Sequence, residues 1–302
     1  MNNSFMNKAY IILVHKKPQQ LVRLIKTLDD GSATFFIHID KSVPVEQFAL
    51  LNQFGNKVKL VERIHSKWST FGLVECTLNG LKTAYQCGNK FDRIILLSGQ
   101  DYPIKSNEQI NTFLQESRYS NFLEYWPLPN YEKWPNDRGG MYRIDKYFFG
   151  LNQLQLFLSR SINFLGNLFP FLRRKLPANM RPYAGSQWWI IDNYALNYIV
   201  RFVEENPKYS AFHKYTFGSD ELYFQMILLN SQDEKILNSI ENNNKRFMKW
   251  KTAAAHPDLL KAEDLSKIKK SNALFARKFD LKKDKEILDL IDKNCLLNRI
   301  TA

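Results

Sequence analysis

Two acidic side chains, Asp220 and Glu221, stand side by side in the segment TFGSDELYFQMILLNS (216–231). The apolar run after them predicts a helix beginning at Asp220, with Ser219 as its cap. The helix dipole favours ionised carboxylates in a first turn, so either residue is a candidate general base. Acidic residues also favour that position for stability alone, and the pair by itself does not choose between them. A second set of groups suits the other end of a transfer reaction. LFARKFD (274–280) supplies Arg277 and Lys278, and SKIKKS (266–271) supplies Lys267, Lys269 and Lys270. Such cations can neutralise a diphosphate as it leaves. A hard metal ion in that role needs carboxylate oxygens. The chain contains no Asp-x-Asp pair, so no metal and no other cofactor is expected.

Other chemistries find less support. The five histidines show no metal-ligand spacing, and the phosphate-loop, dinucleotide and nucleophile-elbow motifs are missing. The three cysteines, Cys76, Cys87 and Cys295, include no CxxC pair, which fits a reducing compartment rather than a disulfide scaffold. Cys76 falls on an apolar helix pattern and reads as core. The formal charge of +13 is concentrated: Lys245 to Lys285 holds 13 basic and 5 acidic residues. That field favours an anionic partner such as a nucleotide diphosphate or an anionic lipid. It is also compatible with nucleic acid, but no recognition motif is present and no nucleic-acid partner is expected.

The elements that must position these groups can be read from periodicity. AYIILVH (9–15), TFFIHID (34–40), VKLVE (58–62) and FDRIILLSG (91–99) are β-rich apolar runs. Between them lie a helical pattern opened by Pro18, with Leu21, Leu24, Ile25 and Leu28 on one face, and a helix from Thr70 to Tyr85. This alternation predicts an α/β fold: a mainly parallel sheet with helices on both faces. Ligands of such sheets bind beyond the strands' carboxyl ends. The residues there are His15 and Lys16, Asp40 and Lys41, His65 to Trp68, and Ser98, Gln100 and Asp101.

The middle of the chain has a different texture. YWPLPNYEKWPNDRGGMYR (125–143) lacks periodicity and combines aromatic, Arg and acidic residues, which suit sugar faces and hydroxyls. LQLFLSRSINFLGNLFPFLRRKLP (154–177) is apolar and punctuated by Arg160, Arg173, Arg174 and Lys175. Two readings stay open for it: a packed helical insertion, or a peripheral membrane-surface element. QWWIID (187–192) reads as a strand, followed by a helix. No run is long enough for a membrane span and no signal peptide is evident.

Taken together and in order, YIILVHKKPQQLVRLIKTL, FFIHIDKS, the Trp68 segment, FDRIILLSGQDYPIKSNEQI, YAGSQWWIID, GSDELYFQ, RFMKW and LFARKFD resemble glycosyltransferase family 14. That family holds the core-2/I-branching β-1,6-N-acetylglucosaminyltransferases and the protein O-xylosyltransferases. The resemblance implies a GT-A-like single domain over 1–302. Residues 9–120 form its nucleotide-binding half. Residues 121–244 form the acceptor and catalytic half, with an apolar-basic insertion at 147–177, and 245–302 a basic C-terminal extension. It implies inverting, metal-independent transfer of a sugar, GlcNAc or alternatively xylose, from a UDP-sugar to a glycan or lipid-linked glycan acceptor. A non-catalytic glycan- or lipid-binding protein of the same fold is the contrasting expectation.

Residue by residue, the family's base falls on Glu221 and its diphosphate-binding Lys on Lys278. A second family cation has no clear counterpart, leaving Arg277, Lys270 or Lys251 for that role. Donor contacts fall on Val14, His15 and Asp40, with Trp68 and Asp101 at further motif positions. Acceptor contacts fall on Trp188 and Trp189, with Glu124, Arg138 and Trp250 as further candidates. The start of the chain near its first strand, without anchor or stem, resembles a bacterial form, cytoplasmic or peripheral on the inner membrane face.

Overall fold

The computed structural model describes residues 6–251 and 256–297. Its main sheet has seven strands in the order β3-β2-β1-β4-β7-β6-β8. These are β1 (Lys8–Val14), β2 (Ala33–Ile39), β3 (Val58–Leu60), β4 (Arg93–Ser98), β6 (Asn121–Pro127), β7 (Tyr183–Ile191) and β8 (Ile240–Glu241). β3, β2, β1 and β4 run parallel, while β7 is antiparallel to both β4 and β6. The mainly parallel α/β sheet expected from the sequence is therefore present. A second sheet, β5-β10-β9, is built from β5 (Asp101–Pro103), β9 (Arg246–Met248) and β10 (Phe275–Arg277).

Alternation along β1 explains why both faces need cover. Ala9, Ile11 and Leu13 enter one apolar core, and Tyr10, Ile12 and Val14 enter the other. Helix α1 (Pro18–Leu28) buries Leu21, Leu24, Ile25 and Leu28, the stripe its spacing predicts, with Pro18 at its start. Helix α2 (Gly72–Gln86) covers the opposite face. Gly80 lies so close to β1 that a Cβ there would stand 2.6 Å from Ile11 Cγ2. Helix α3 (Asn107–Glu116) starts with a reciprocal cap between Ser106 and Gln109. Cys76 is fully buried, in keeping with its reading as core.

The C-terminal segment is fastened to the first half by main-chain and amide contacts. Phe275 and Phe279 are both fully buried. Gln20 Nε2 donates to the carbonyls of Gly99 and Phe279, and its Oε1 accepts from Leu281 N. LFARKFD thus lies across the ends of β1 and β4 rather than on an exposed helix.

Three expectations require correction. Tyr125 to Pro127 belong to strand β6, so the irregular segment begins later than its composition suggests. No helix begins at Asp220: Ser219–Glu221 is a single 3-10 turn preceded by Gly218 in the left-handed region, and the helix proper is Tyr223–Leu229. Ser219 caps nothing, because its hydroxyl is buried without a hydrogen-bond partner. A helix, Gln153–Leu168, forms where 154–177 is expected to hold one, yet six of its apolar side chains are exposed, so it is not packed as an ordinary amphipathic insertion. Among the described residues no helix is long and apolar enough to cross a membrane.

Candidate functional site

β2 and β4 lie on opposite sides of β1, so the chain leaves β1 in one direction and returns on the other. The crevice at such a switch point is where an open α/β sheet accepts ligands. A cavity of about 430 Å³ opens there. Val14 ends β1 and His15 follows it, Asp40 follows β2, and Ser98 ends β4 with Gly99 and Gln100 after it. Trp68, Trp188, His256, Arg277 and Lys278 complete much of the wall. Gly99 is required by closeness, since a Cβ would lie 2.9 Å from Val14 Cγ2.

Asp40 is held by a dense set of donors. Ser42 N and Oγ reach its Oδ1, while Ser66 N and Oγ reach its Oδ2 at 2.6 and 2.5 Å. Burial alone would raise its pKa; the hydrogen bonds from Ser42 and Ser66 outweigh that and hold it well below the usual carboxylate range. Asp40 is thus a fixed anion and acceptor at the end of β2. His15 is pushed the other way. Burial lowers its pKa, with Lys16 and Lys278 acting in the same direction and Asp40 opposing.

The cationic wall comes from β10. Arg277 lies with its Cζ 3.9 Å from the centroid of the Trp188 ring. Its Nε is 3.3 Å from Oδ1 of Asp101, which is completely buried and also accepts from Ser98 N at 2.6 Å. Burial lowers the Arg277 pKa and Asp101 opposes it. Burial also lowers that of Lys278, reinforced by Arg277 beside it. Two cations are therefore crowded together where each would gain from an anionic ligand. Asp101 is not a cavity residue but the counter-charge that fixes Arg277.

Glu221 does not line the cavity itself. Burial first, then Lys278 and Arg277, lower the pKa of His256 in the cavity wall, and the Glu221 charge opposes them. Gly218 N donates to Ser69 O at 3.0 Å, and Phe217 packs edge-on against Trp68, so the turn carrying Glu221 abuts the cavity's Trp68 side. Oε2 of Glu221 accepts from Arg143 Nη1 at 2.5 Å. Asp220 points inward instead: burial first, then the Glu221 charge, raises its pKa to about 7. The helix dipole invoked for both carboxylates acts on neither as a helix N-terminus, because the turn is separate from the helix.

The other nominated residues divide. Trp188 lines the cavity, whereas Trp189 is 1% exposed and packs edge-on against Phe224 in the core. Both tryptophans pack in the same apolar core, where the β6–β7 register is irregular, and only Trp188 also reaches the cavity wall. Lys270 is exposed at the end of the helix Leu265–Lys270 and does not line the cavity. Lys251 pairs with Asp258 at 3.3 Å, also outside the lining. Trp250 is exposed and equally absent from it. Glu124 accepts from Asn244 Nδ2 at 2.7 Å, and burial raises its pKa. Arg138 makes a two-pronged bond to Asp145 at 2.8 Å beside a different cavity. The residue of that loop that does approach Glu221 is Arg143. Composition flagged the segment, but no spacing distinguished one arginine from the other. Gln187 and His256 were likewise not singled out. Among the described residues no group of three or more His, Cys, Asp or Glu is placed to hold a metal ion.

The sheet and its strand-end cavity define an α/β protein with a cation-walled cleft of nucleotide-ligand size. The Core-2/I-Branching enzyme family model matches residues 8–271, and the chain belongs to that family, one of glycosyltransferases. It is 25% identical to Xylosyltransferase 2 of Rattus norvegicus over 94% of this chain and 33% of the relative. It is also 25% identical to Xylosyltransferase 1 of Canis lupus familiaris, over 94% of this chain and 30% of that one. The chain thus spans about a third of the length of the curated relatives it matches. Among solved structures, apo mouse Xyloside xylosyltransferase 1 is a loose likeness, with TM-score 0.36 and 10% identity over 89% of this chain and 97% of that one.

Proposed function

We propose that this chain transfers a sugar from a UDP-sugar to a hydroxyl of a glycan acceptor, with inversion at the anomeric carbon. The observation that carries the reading is the placement of Arg277 and Lys278 on the same cavity as Val14, His15 and Asp40. In this reading the strand-end groups take the uridine and ribose, and the two cations take the diphosphate. Trp188 offers a ring to the sugar, already stacked on Arg277. Glu221 accepts the proton of the acceptor hydroxyl, whose oxygen forms the new bond to the anomeric carbon. The bond from that carbon to the diphosphate oxygen breaks, and its electron pair leaves with UDP, stabilised by Arg277 and Lys278. A single displacement of this kind inverts the carbon. The charge on the leaving group is met by side chains, which supports a metal-independent reaction.

Two donor sugars have support. GlcNAc follows from the branching-enzyme family, and xylose from the names of the relatives in rat and dog. The test is a thermal-shift and donor-hydrolysis panel across UDP-sugars, with and without EDTA. Stabilisation by UDP and turnover of UDP-GlcNAc or UDP-xylose in EDTA are expected. Loss of turnover on chelation removes the metal-free mechanism. Absence of both UDP stabilisation and turnover removes the transferase reading in favour of a non-catalytic binding protein.

A further inference from the structure

The helix Gln153–Leu168 is built inside out. A surface helix of a water-soluble protein turns its apolar stripe inward and its polar face to solvent. Here Leu154, Phe157, Leu158, Phe164, Leu165 and Leu168 recur at steps of three, four and seven and share one side of the helix, with Ser161 between its two halves. Their exposures run from 41% to 66%. The buried positions are instead Ser159 and Gly166. Ser159 Oγ accepts from Phe149 N, and the Asn163 amide exchanges hydrogen bonds with both main-chain groups of Tyr147. Polar and small groups thus glue the helix down, and its apolar face has no cover among the described residues. Phe171, in the turn that follows, is 76% exposed and extends the same apolar surface. A contiguous patch of this kind marks an interaction surface.

Charge identifies what covers it. From Lys146 to Ile191 the sequence holds six basic residues and no acidic one. Arg160, Arg173 and Lys175 are exposed on or beside the helix. A polar cavity of about 270 Å³ adjoins the helix, lined in part by Arg138, Lys146 and Arg173, with Asp145 as its acidic residue. Leucines and phenylalanines outward, flanked by Lys and Arg and with one carboxylate, Asp145, already paired to Arg138, are the composition of an element that lies in a bilayer interface.

We propose that the helix Gln153–Leu168 and the turn after it dock on the surface of an anionic membrane, apolar stripe inserted, basic residues among the headgroup phosphates. The inference stands independently of the transferase reading. It also has a consequence for the site. Buried Arg174 donates to the carbonyls of Lys146, Phe212 and Tyr215 and to Thr216 Oγ1, and Phe148 packs on Phe217. The docking element is therefore tied to the segment just before Glu221, and docking brings that side of the site toward the membrane surface.

Flotation of the full chain with vesicles tests this, using phosphatidylcholine alone and phosphatidylcholine mixed with phosphatidylglycerol. Binding to the anionic vesicles, weakened by high salt, is expected. The triple change Phe157→Ser, Phe164→Ser, Leu168→Ser should reduce the bound fraction by at least about tenfold. Arg173→Gln with Lys175→Gln should remove the preference for phosphatidylglycerol. The serine changes lie on exposed positions, so the thermal midpoint should not fall. Phe164→Trp gives a reading that does not depend on that triple variant: its emission should shift to the blue with anionic vesicles and be quenched by brominated lipid. No vesicle binding by the unmodified chain overturns the proposal, as does binding that the serine changes leave intact. So does a wild-type dimer that the serine changes dissolve without any effect of lipid, which would assign the stripe to a second copy of the chain.

Discussion

Arg143 Nη1 donates to Glu221 Oε2 at 2.5 Å, joining a guanidinium side chain 9% exposed to a carboxylate 40% exposed. The arginine end is enclosed by aromatic faces, 4.5 Å from the Trp134 centroid and 5.5 Å from that of Phe217. One carboxylate oxygen is thereby fixed from behind. Arg143 acts through Glu221 as a positioning residue, and the two can be separated by experiment.

Glu221→Gln keeps the shape and removes the base. Transfer should fall by about 10²- to 10⁴-fold, while UDP still raises the melting temperature as in the unmodified chain. Arg143→Lys should lower kcat by roughly tenfold or more with little change in the KM for donor, because a point charge replaces a planar donor. Full turnover in Glu221→Gln removes it as the base. A change confined to KM in Arg143→Lys removes the positioning role.

Arg277 and Asp101 form a buried couple, so removing one partner is worse than removing both. Arg277→Met should destabilise the chain by about 3 kcal/mol, since it leaves the Asp101 carboxyl in a dry site without its ion-paired cation and with only the more distant charge of Arg246. Adding Asp101→Asn should restore part of that stability without restoring donor binding. Urea unfolding and UDP titration on the two single variants and the double variant measure this. Additive losses would show that the two side chains do not interact.

Trp188 and Trp189 are adjacent in sequence and separate in consequence. Trp189→Ala opens a core cavity and should cost about 3–5 kcal/mol of stability. Trp188→Ala should weaken donor binding and turnover more than it affects folding, with Trp188→Phe retaining much of both. Equal stability losses with unchanged donor affinity would place Trp188 in the core alone.

Asp220 gives a pH signature. Burial, with the Glu221 charge second, raises its pKa from 3.8 to about 7. Between those values the folded chain keeps a proton that the unfolded chain has released, so this residue's contribution to stability falls as pH rises through the window. Asp220→Asn cannot ionise and escapes that fall. Its stability relative to the unmodified chain should therefore improve between pH 4 and pH 8, by an amount on the order of a few kcal/mol. Chemical unfolding at both pH values decides, and a difference that stays constant would count against the raised pKa.

The sequence by itself determined the parallel sheet, the strand ends that line the cavity, and the anchored basic segment that closes it. These were legible because each follows from local pattern: apolar runs for β1, β2 and β4, polar residues just after them, and Phe275 and Phe279 flanking Arg277 and Lys278. The tertiary structure decided the rest. It took Ser219 and Asp220 out of a helix start and into a buried turn, with Gly218 in the left-handed region and its N–H bonded to the carbonyl of Ser69, a partner distant in sequence. It put Trp188 on the cavity wall and left Trp189 wholly in the core, at an irregular stretch of β7 whose geometry no local pattern announces. It put Lys270, Trp250, Glu124 and Arg138 outside the cavity, although their types suited a sugar site as well as those inside. It chose Arg143 as the partner of Glu221, a contact across 78 residues that no local spacing encodes. It also turned the leucines and phenylalanines of Gln153–Leu168 outward, since periodicity shows that a helix has an apolar face but not which way that face looks.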